Sequence, residues 1–199
     1  MKRWIVALLV VAAIVGLALA PLPIDDTTRI HNSVSIGRDP DVVFAYVTTP
    51  ANWPKWHPSS LAVRGTTDHP LDLGEQVTED FLVAGRRGRV VWTVVEREAP
   101  ERWVIAGEVG GRPAGAVTYT LESAGAGTRF DRELVYGSPT LLFAVLNRLG
   151  IRAKVERESA EAVRRLKAVL EAGPTAAAGA REPEKPSGLG GQLRSRVPA

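Results

Sequence analysis

The chain has 199 residues, of which 45% are apolar, so it is long enough for a packed domain and too apolar to be wholly disordered. It contains no cysteine and three histidines, which excludes disulfide bonds, iron–sulfur clusters and a cysteine nucleophile and argues against a metal centre, and we predict no cofactor. The net charge of +3 lies at the two ends, because Lys2, Arg3 and the tail from Gly173 leave residues 24–172 with a net charge of −1, which argues against nucleic-acid binding.

The N-terminus, residues 1–24, is predicted to be a membrane segment. Trp4 to Ala20 is an unbroken run without a charged or strongly polar side chain. Its 17 residues reach the lower limit of about 17 for a transmembrane helix and exceed the ~7–15 residues of a signal-peptide core. Ala18-Leu19-Ala20 has the small residues of a cleavage site, but Pro21 should hinder cleavage. The pattern therefore favours a retained signal anchor over a cleaved signal.

The flanking charges predict the orientation of this anchor. Lys2 and Arg3 precede the apolar run, whereas Asp25 and Asp26 follow it. Because cationic flanks stay on the cytoplasmic side, we expect a single-pass protein of the cell membrane with its domain on the extracytoplasmic side. The alternative is a protein secreted after signal cleavage.

Residues 25–172 read as one α+β domain. A first strand over 27–36 is followed by a helix that begins at Asp39-Pro40, where the aspartate suits the N-cap and the proline the first helical position. An aromatic segment over 51–60 comes next. Six segments then alternate with period two and are separated by short turns, as in antiparallel hairpins. They are 61–66, 75–83, 87–96, 102–109, 114–122 and 128–136.

A long helical stretch from Ser138 to Gly173 closes the domain. Its apolar stripe includes Val155, Ser159, Ala162, Leu166 and Val169, while the residues before Gly150 follow a different phase, so a break is expected at that glycine. The remainder, 173–199, is rich in proline, alanine and glycine, lacks periodicity, and is predicted to be a disordered basic tail.

Several local motifs carry a family resemblance. They include Asp39-Pro40-Asp41-Val42-Val43-Phe44, the stretch from Thr49 to Pro58, Leu71-Asp72-Leu73-Gly74, Ala99-Pro100-Glu101-Arg102-Trp103 and Gly127-Thr128-Arg129-Phe130. Over about residues 27–172 the chain resembles the SRPBCC superfamily, which has the START-type helix-grip fold, and within it the polyketide cyclase/dehydrase and lipid-transport branch. The resemblance implies a seven-stranded antiparallel sheet wrapped around a long C-terminal helix, with an apolar cavity between them.

The expected cavity lining combines this implied cavity with the strand alternation. Odd positions of the sixth strand and even positions of the seventh share the inner face, which makes the interior rich in aromatic rings. A solidly filled core is the alternative. The candidate ligand-binding residues are Trp53, Trp56, Glu79, Phe81, Trp92, Trp103, Tyr119, Arg132, Tyr136, Phe143 and Leu146.

Two polar residues interrupt the apolar inner face. Glu79 shares a face with Val77 and Phe81, and Arg132 shares one with Phe130. Since a buried charge is unfavourable unless it is paired, these groups would orient a polar head group or move a proton, or else form ion pairs at the rim. His57 could act as an acid or base near the cavity mouth, although such aromatic segments more often serve as structural lids. No nucleophile–base set is evident, and no catalytic residue is predicted.

The function predicted from these features is a membrane-anchored binding module for a lipid or other hydrophobic small molecule. A cyclase- or dehydrase-like enzyme and an interaction domain with a filled core remain alternatives. Residues 140–150 have apolar side chains on more than one helical face. We expect them to form a mobile wall of the cavity entrance, with Phe143 or Leu146 facing the membrane; the alternative is a packed first turn of the long helix.

Overall fold

The structure, a computed structural model, describes residues 2–21 and 26–172, so the predicted tail over 173–199 lies outside the described residues. The helices are α1 (Lys2–Leu19), α2 (Pro40–Thr48), α3 (Trp53–Trp56), α4 (Leu141–Leu146) and α5 (Arg152–Ala172), with a short turn of 3₁₀ helix at Pro50–Asn52. The strands are β1 (Thr27–Ile36), β2 (Ser60–Gly65), β3 (Gln76–Val83), β4 (Arg86–Glu98), β5 (Arg102–Val109), β6 (Arg112–Ala124) and β7 (Gly127–Gly137).

The strands form one antiparallel sheet in the order β1-β7-β6-β5-β4-β3-β2. Four tight connections follow the chain from β3 to β7, a ten-residue loop over 66–75 joins β2 to β3, and β1 closes the far edge beside β7. Gly110 and Gly111 both have positive φ, which the short turn between β5 and β6 requires. This α+β helix-grip arrangement with seven strands confirms the predicted fold class.

The alternation of side chains also follows the sequence pattern. The inner face of β6 buries Val117, Tyr119 and Leu121, and β7 buries Phe130 beside them. On α5 the stripe from Val155 to Leu166 is buried as predicted, but Leu170 is buried in place of Val169. Spacing alone did not distinguish these two neighbours, because both lie near the same helical face.

One end of α5 is fastened to the loop after β1. The backbone N–H of Gly37 donates to Glu171 Oε1 at 2.8 Å, and Arg38 Nε donates to the carbonyl oxygen of Leu170 at 2.7 Å. Thr128 Oγ1 in turn donates to the carbonyl oxygen of Arg38 at 2.7 Å. The C-terminal turn of the helix is therefore bonded to the edge of the sheet.

The other end of α5 carries the predicted break. Residues Asn147–Ile151 form a π-helical turn in which Gly150 leaves the helical conformation. Asn147 is buried and sets the rotation of α4, because its Nδ2 donates to Thr28 Oγ1 and its Oδ1 accepts from the Tyr136 hydroxyl, each at 2.8 Å. This rotation turns Phe143 inward and leaves Leu146 partly buried, so neither is the outward residue we expected. The exposed apolar residues are Leu141, Leu142, Val145 and Leu149.

Helix α1 is long and apolar enough to cross a membrane, with a mean hydropathy of 2.1, and none of its residues is buried. A signal sequence at the N-terminus has the same properties. Its C-terminal end contacts α4, and Pro21 forms an isolated antiparallel bridge with Thr140.

Candidate functional site

A cavity of about 800 Å³ lies between the inner face of the sheet and the C-terminal helical segments. This volume falls within the ~300–1,000 Å³ that small-molecule sites typically enclose. Its lining includes Val90, Ile105, Val117 and Leu134 from the sheet and Val155 from α5, so most of the wall is apolar. The interior of the fold is therefore not solidly filled.

Nine of the eleven predicted ligand-binding residues line this cavity. They are Trp53, Trp56, Glu79, Phe81, Trp92, Tyr119, Arg132, Tyr136 and Phe143. Trp103 and Leu146 lie outside the lining. Trp103 is completely buried behind Tyr119, against which its ring stacks at a centroid distance of 5.3 Å. Leu146 lies on the partly buried side of α4, because Asn147 sets the rotation of that helix.

Two aromatic rings that line the cavity lie across glycines of the neighbouring strand. Phe81 pairs with Gly88, and Trp92 pairs with Gly107. A Cβ at residue 88 would lie 2.4 Å from Phe81 Cζ, so only glycine admits the ring in this position. Trp92 also donates its indole N–H to Glu79 Oε2 at 2.7 Å, which anchors the carboxylate to the wall.

Arg132 is the central polar residue of the cavity. Its side chain extends from the middle of β7 and is only 4% exposed. Nη1 donates to Ser159 Oγ on α5 at 2.8 Å, and Nη2 lies 3.2 Å from His57 Nε2. Ser159 in turn donates to Asn32 on β1. The guanidinium thus links the sheet, α5 and the segment after α3.

The environment of His57 favours the neutral form of its ring. Burial, followed by the positive charge of Arg132, holds its pKa well below the usual range of histidine. Both ring nitrogens face N–H donors, since Nε2 faces Arg132 and Nδ1 faces the backbone N–H of Ser59 at 3.3 Å. A neutral imidazole accepts at only one nitrogen, so one of these donors has no acceptor in either tautomer.

Two acidic groups in the cavity are shifted towards their neutral forms. Burial raises the pKa of Glu79 above the usual range, although the hydrogen bond from Trp92 and the positive charge of Arg132 oppose this shift. Burial likewise raises the pKa of Tyr119 to about 12, although the nearby Arg132 charge opposes that rise. At neutral pH Tyr119 is therefore a protonated hydroxyl.

Several lining residues were missed at the sequence level. The sequence predicts His57 either as an acid or base at the mouth or as part of a structural lid, whereas it lies against Arg132 inside the cavity. Ser159 was assigned to the apolar stripe of α5; a polar residue at that position was the available signal. Glu158 gave no signal, and its carboxylate accepts from the Ala84 backbone N–H at 3.0 Å and from Ser59 Oγ at 3.0 Å.

The chemistry of the cavity suits binding through apolar contacts and a few polar groups. Within residues 2–21 and 26–172, no group of three or more His, Cys, Asp or Glu side chains could hold a metal ion. Glu79, His57 and Tyr119 are titratable groups that could move a proton.

This architecture defines a helix-grip protein with an apolar cavity. The chain belongs to the family described as polyketide cyclase / dehydrase and lipid transport, an SRPBCC-type family whose profile matches residues 27–171. No curated protein matches the chain.

Solved structures share the fold at low sequence identity. DynU16, a protein in the dynemicin biosynthetic locus, is 20% identical with a TM-score of 0.53; the match covers 72% of this chain and 47% of DynU16, so the chain spans about half of that protein's length. CV1439 from Chromobacterium violaceum is 18% identical with a TM-score of 0.54, covering 73% of this chain and 97% of that one. TTHA0849 from Thermus thermophilus is 13% identical with a TM-score of 0.59, covering 73% and 98%.

Proposed function

We propose that the protein is a membrane-anchored binding module for a lipid or another hydrophobic small molecule. The observation that carries this proposal is the apolar cavity of about 800 Å³ between the sheet and the C-terminal helices. Burial of an alkyl or ring system there would contribute roughly 25 cal/mol for each Å² of apolar surface removed from water. Membership of a family named in part for lipid transport supports the same proposal.

The membrane part of the proposal rests on α1. With Lys2 and Arg3 before it, α1 would span the membrane with the cavity domain on the extracytoplasmic side. The contact between α1 and α4, together with the bridge between Pro21 and Thr140, would hold α4 close to the membrane surface.

The exposed apolar side chains of α4 support the same placement. Leu142, Val145 and Leu149 lie on the outer face of the helical segment, and Leu149 is 78% exposed. Phe143 on the opposite face lines the cavity. We infer that the bilayer covers the outer face, so that α4 separates lipid from the cavity, and a hydrophobic ligand would pass between them without crossing water.

The test is native mass spectrometry of the full chain extracted in mild detergent. We expect a small-molecule adduct on the wild type, and its loss in Leu134→Trp, which fills the cavity. Val135→Trp is the matched control, because the neighbouring residue of a strand points to the opposite face. If the wild type carries no adduct and takes up no fluorescent fatty-acid probe, the binding proposal is wrong.

A cyclase- or dehydrase-like enzyme is the second candidate. It is favoured by the convergence of Glu79, His57 and Tyr119 on one cavity, with pKa values displaced by burial. For an enzyme, Glu79→Gln would retain ligand affinity and abolish conversion of the bound compound. For a binding module, mass spectrometry would find the bound compound unchanged in both proteins.

A further inference from the structure

Some buried hydrogen-bond donors of residues that line the cavity have no acceptor. Arg132 Nε and Trp56 Nε1 are buried and have no partner among the described residues. One of the two donors that face His57 also lacks an acceptor, because the neutral ring accepts at one nitrogen only. Buried donors without acceptors are unfavourable. The polar groups around Arg132 therefore favour a ligand group that accepts hydrogen bonds.

The charge of Arg132 has no carboxylate partner within 4.0 Å among the described residues. Three carboxylates line the cavity, and each is bonded elsewhere. Asp26 pairs with Arg148 at 3.1 Å, Glu79 accepts from Trp92, and Glu158 accepts from Ala84 and Ser59. Arg132 has neutral partners, Ser159 Oγ at 2.8 Å and His57 Nε2 at 3.2 Å, but no anion is paired with it, and a buried charge is stabilised most by an ion-paired anion.

The cavity opens at the end of the sheet that is next to α4. All the exposed lining residues lie at this end, where β3, β5 and β7 finish and β4 and β6 begin. Arg132 is five residues before the end of β7, which places it about 16 Å along the strand from the mouth. Leu134, Tyr136 and Phe143 line the apolar stretch between them.

The mouth itself is basic. Arg86, Arg87 and Arg112 are exposed there, and none forms an ion pair with another described residue. Positive charge around an apolar opening raises the local concentration of anions and accelerates their association. The positive charges at the mouth and the positive charge of Arg132 at the inner end thus both favour an anionic ligand.

We infer that the ligand is an amphipathic acid, whose anionic head group binds Arg132 at the inner end and whose apolar chain extends towards the mouth. The inference rests on the proposed binding function and names its ligand class. A carboxylate or a phosphate supplies the same acceptor chemistry. The acid would bond the guanidinium of Arg132, and its chain would fill the space beside Leu134 and Phe143.

The test uses the full chain in lipid nanodiscs, titrated with decanoic acid, decyl phosphate and decanol. Binding is followed by tryptophan fluorescence, since Trp53, Trp56 and Trp92 line the cavity, with empty nanodiscs as the background. We expect wild type to prefer an acid over decanol by about tenfold or more, because hydrogen bonds to charged groups are worth at least such a factor. The two acids identify which head group is preferred.

The variants assign this preference to one residue. Arg132→Gln should remove the preference while decanol still binds, and Arg132→Lys should retain part of it. Arg157→Gln removes an exposed arginine of α5 outside the cavity and should leave the preference unchanged. Near-ultraviolet circular dichroism checks the fold of each variant, and the wild-type comparison does not depend on them.

Two results would contradict the inference or the function on which it rests. If wild type binds decanol and both acids equally, or if Arg132→Gln keeps the preference, the head-group inference is wrong and the binding function stands. If none of the three probes binds to wild type, the proposed binding function itself is wrong.

Discussion

The indole of Trp92 lies across Gly107 of the neighbouring strand. A Cβ at residue 107 would lie 2.6 Å from Trp92 Cζ3, well inside van der Waals contact. The same indole donates to Glu79 at 2.7 Å. The absence of a side chain at residue 107 therefore decides where the Glu79 carboxylate is held in the cavity.

Gly107→Ala should displace the Trp92 ring and lengthen its hydrogen bond to Glu79. Overpacking of this kind lowers the free energy of unfolding by about 1–3 kcal/mol. The measurement is denaturant unfolding of the full chain in detergent, together with the tryptophan emission spectrum. Gly137→Ala is the matched control, because a Cβ there meets nothing within 4 Å. Equal stability of the two variants would contradict the steric argument.

His57 should make the protein less stable as the solution becomes acidic. Its pKa is well below the usual range in the folded protein, owing to burial and to Arg132, and is about 6.5 in the unfolded chain. As the pH falls from about 6.5, the unfolded chain takes up a proton that the folded chain does not, so stability present above this pH is lost.

The measurement for His57 is the melting temperature of the full chain in detergent, from about pH 8 to about pH 5. The wild-type melting temperature should fall towards acid with a slope that His57→Gln reduces. One group changes the free energy of unfolding by at most about 1.4 kcal/mol per pH unit. An unchanged slope in the variant would show that the folded imidazole takes up its proton normally.

Glu79 should produce the opposite dependence. Burial raises its pKa in the folded protein, so above about pH 4.5 the unfolded chain loses its proton first. Stability contributed by Glu79 is present below that pH and lost as the pH rises through the folded pKa. Glu79→Gln should remove this loss. The melting temperature at neutral pH, relative to that at about pH 5, should therefore be higher in the variant than in the wild type. If the melting temperature of the variant depended on pH as that of the wild type does, ionisation of the Glu79 carboxylate would not lower the free energy of unfolding.

The placement of α4 against the bilayer is testable with single labels, since the chain has no native cysteine. We expect a fluorophore at Leu149→Cys to be quenched by nitroxide lipids when the full chain is in liposomes. The control is Leu73→Cys, which is 67% exposed and lies in the loop before β3, away from the mouth. Equal quenching at both positions would place α4 no nearer the membrane than the opposite end of the sheet.

Local patterns in the sequence predicted most of the fold. Tyr119 and Phe130 follow the period of two that marks inward strand positions, and Gly150 marks the change of helical phase. Asp39 and Pro40 begin α2 as predicted, with the aspartate side chain accepting from the Asp41 backbone N–H. Each of these signals depends on a few adjacent residues.

The contacts inside the site depend on residues far apart in the chain. His57 and Arg132 are 75 residues apart, and their contact requires the position of the aromatic segment over the sheet, which no local period specifies. The rotation of α4 depends on Asn147 reaching Thr28, across 119 residues. The apolar character of 140–150 was evident, but the residue facing outward could not be read without that bond.

The bonds between α5 and the loop after β1 make the two ends of the cavity mechanically different. Gly37 and Arg38 hold the last turn of the helix at the closed end, whereas the interruption at Gly150 lies at the mouth. If the cavity widened, α5 would therefore pivot about its fastened C-terminal end and the mouth would open. An amphipathic acid bound in the inferred orientation would leave chain first, so its polar head would be released last and that step would govern its residence time.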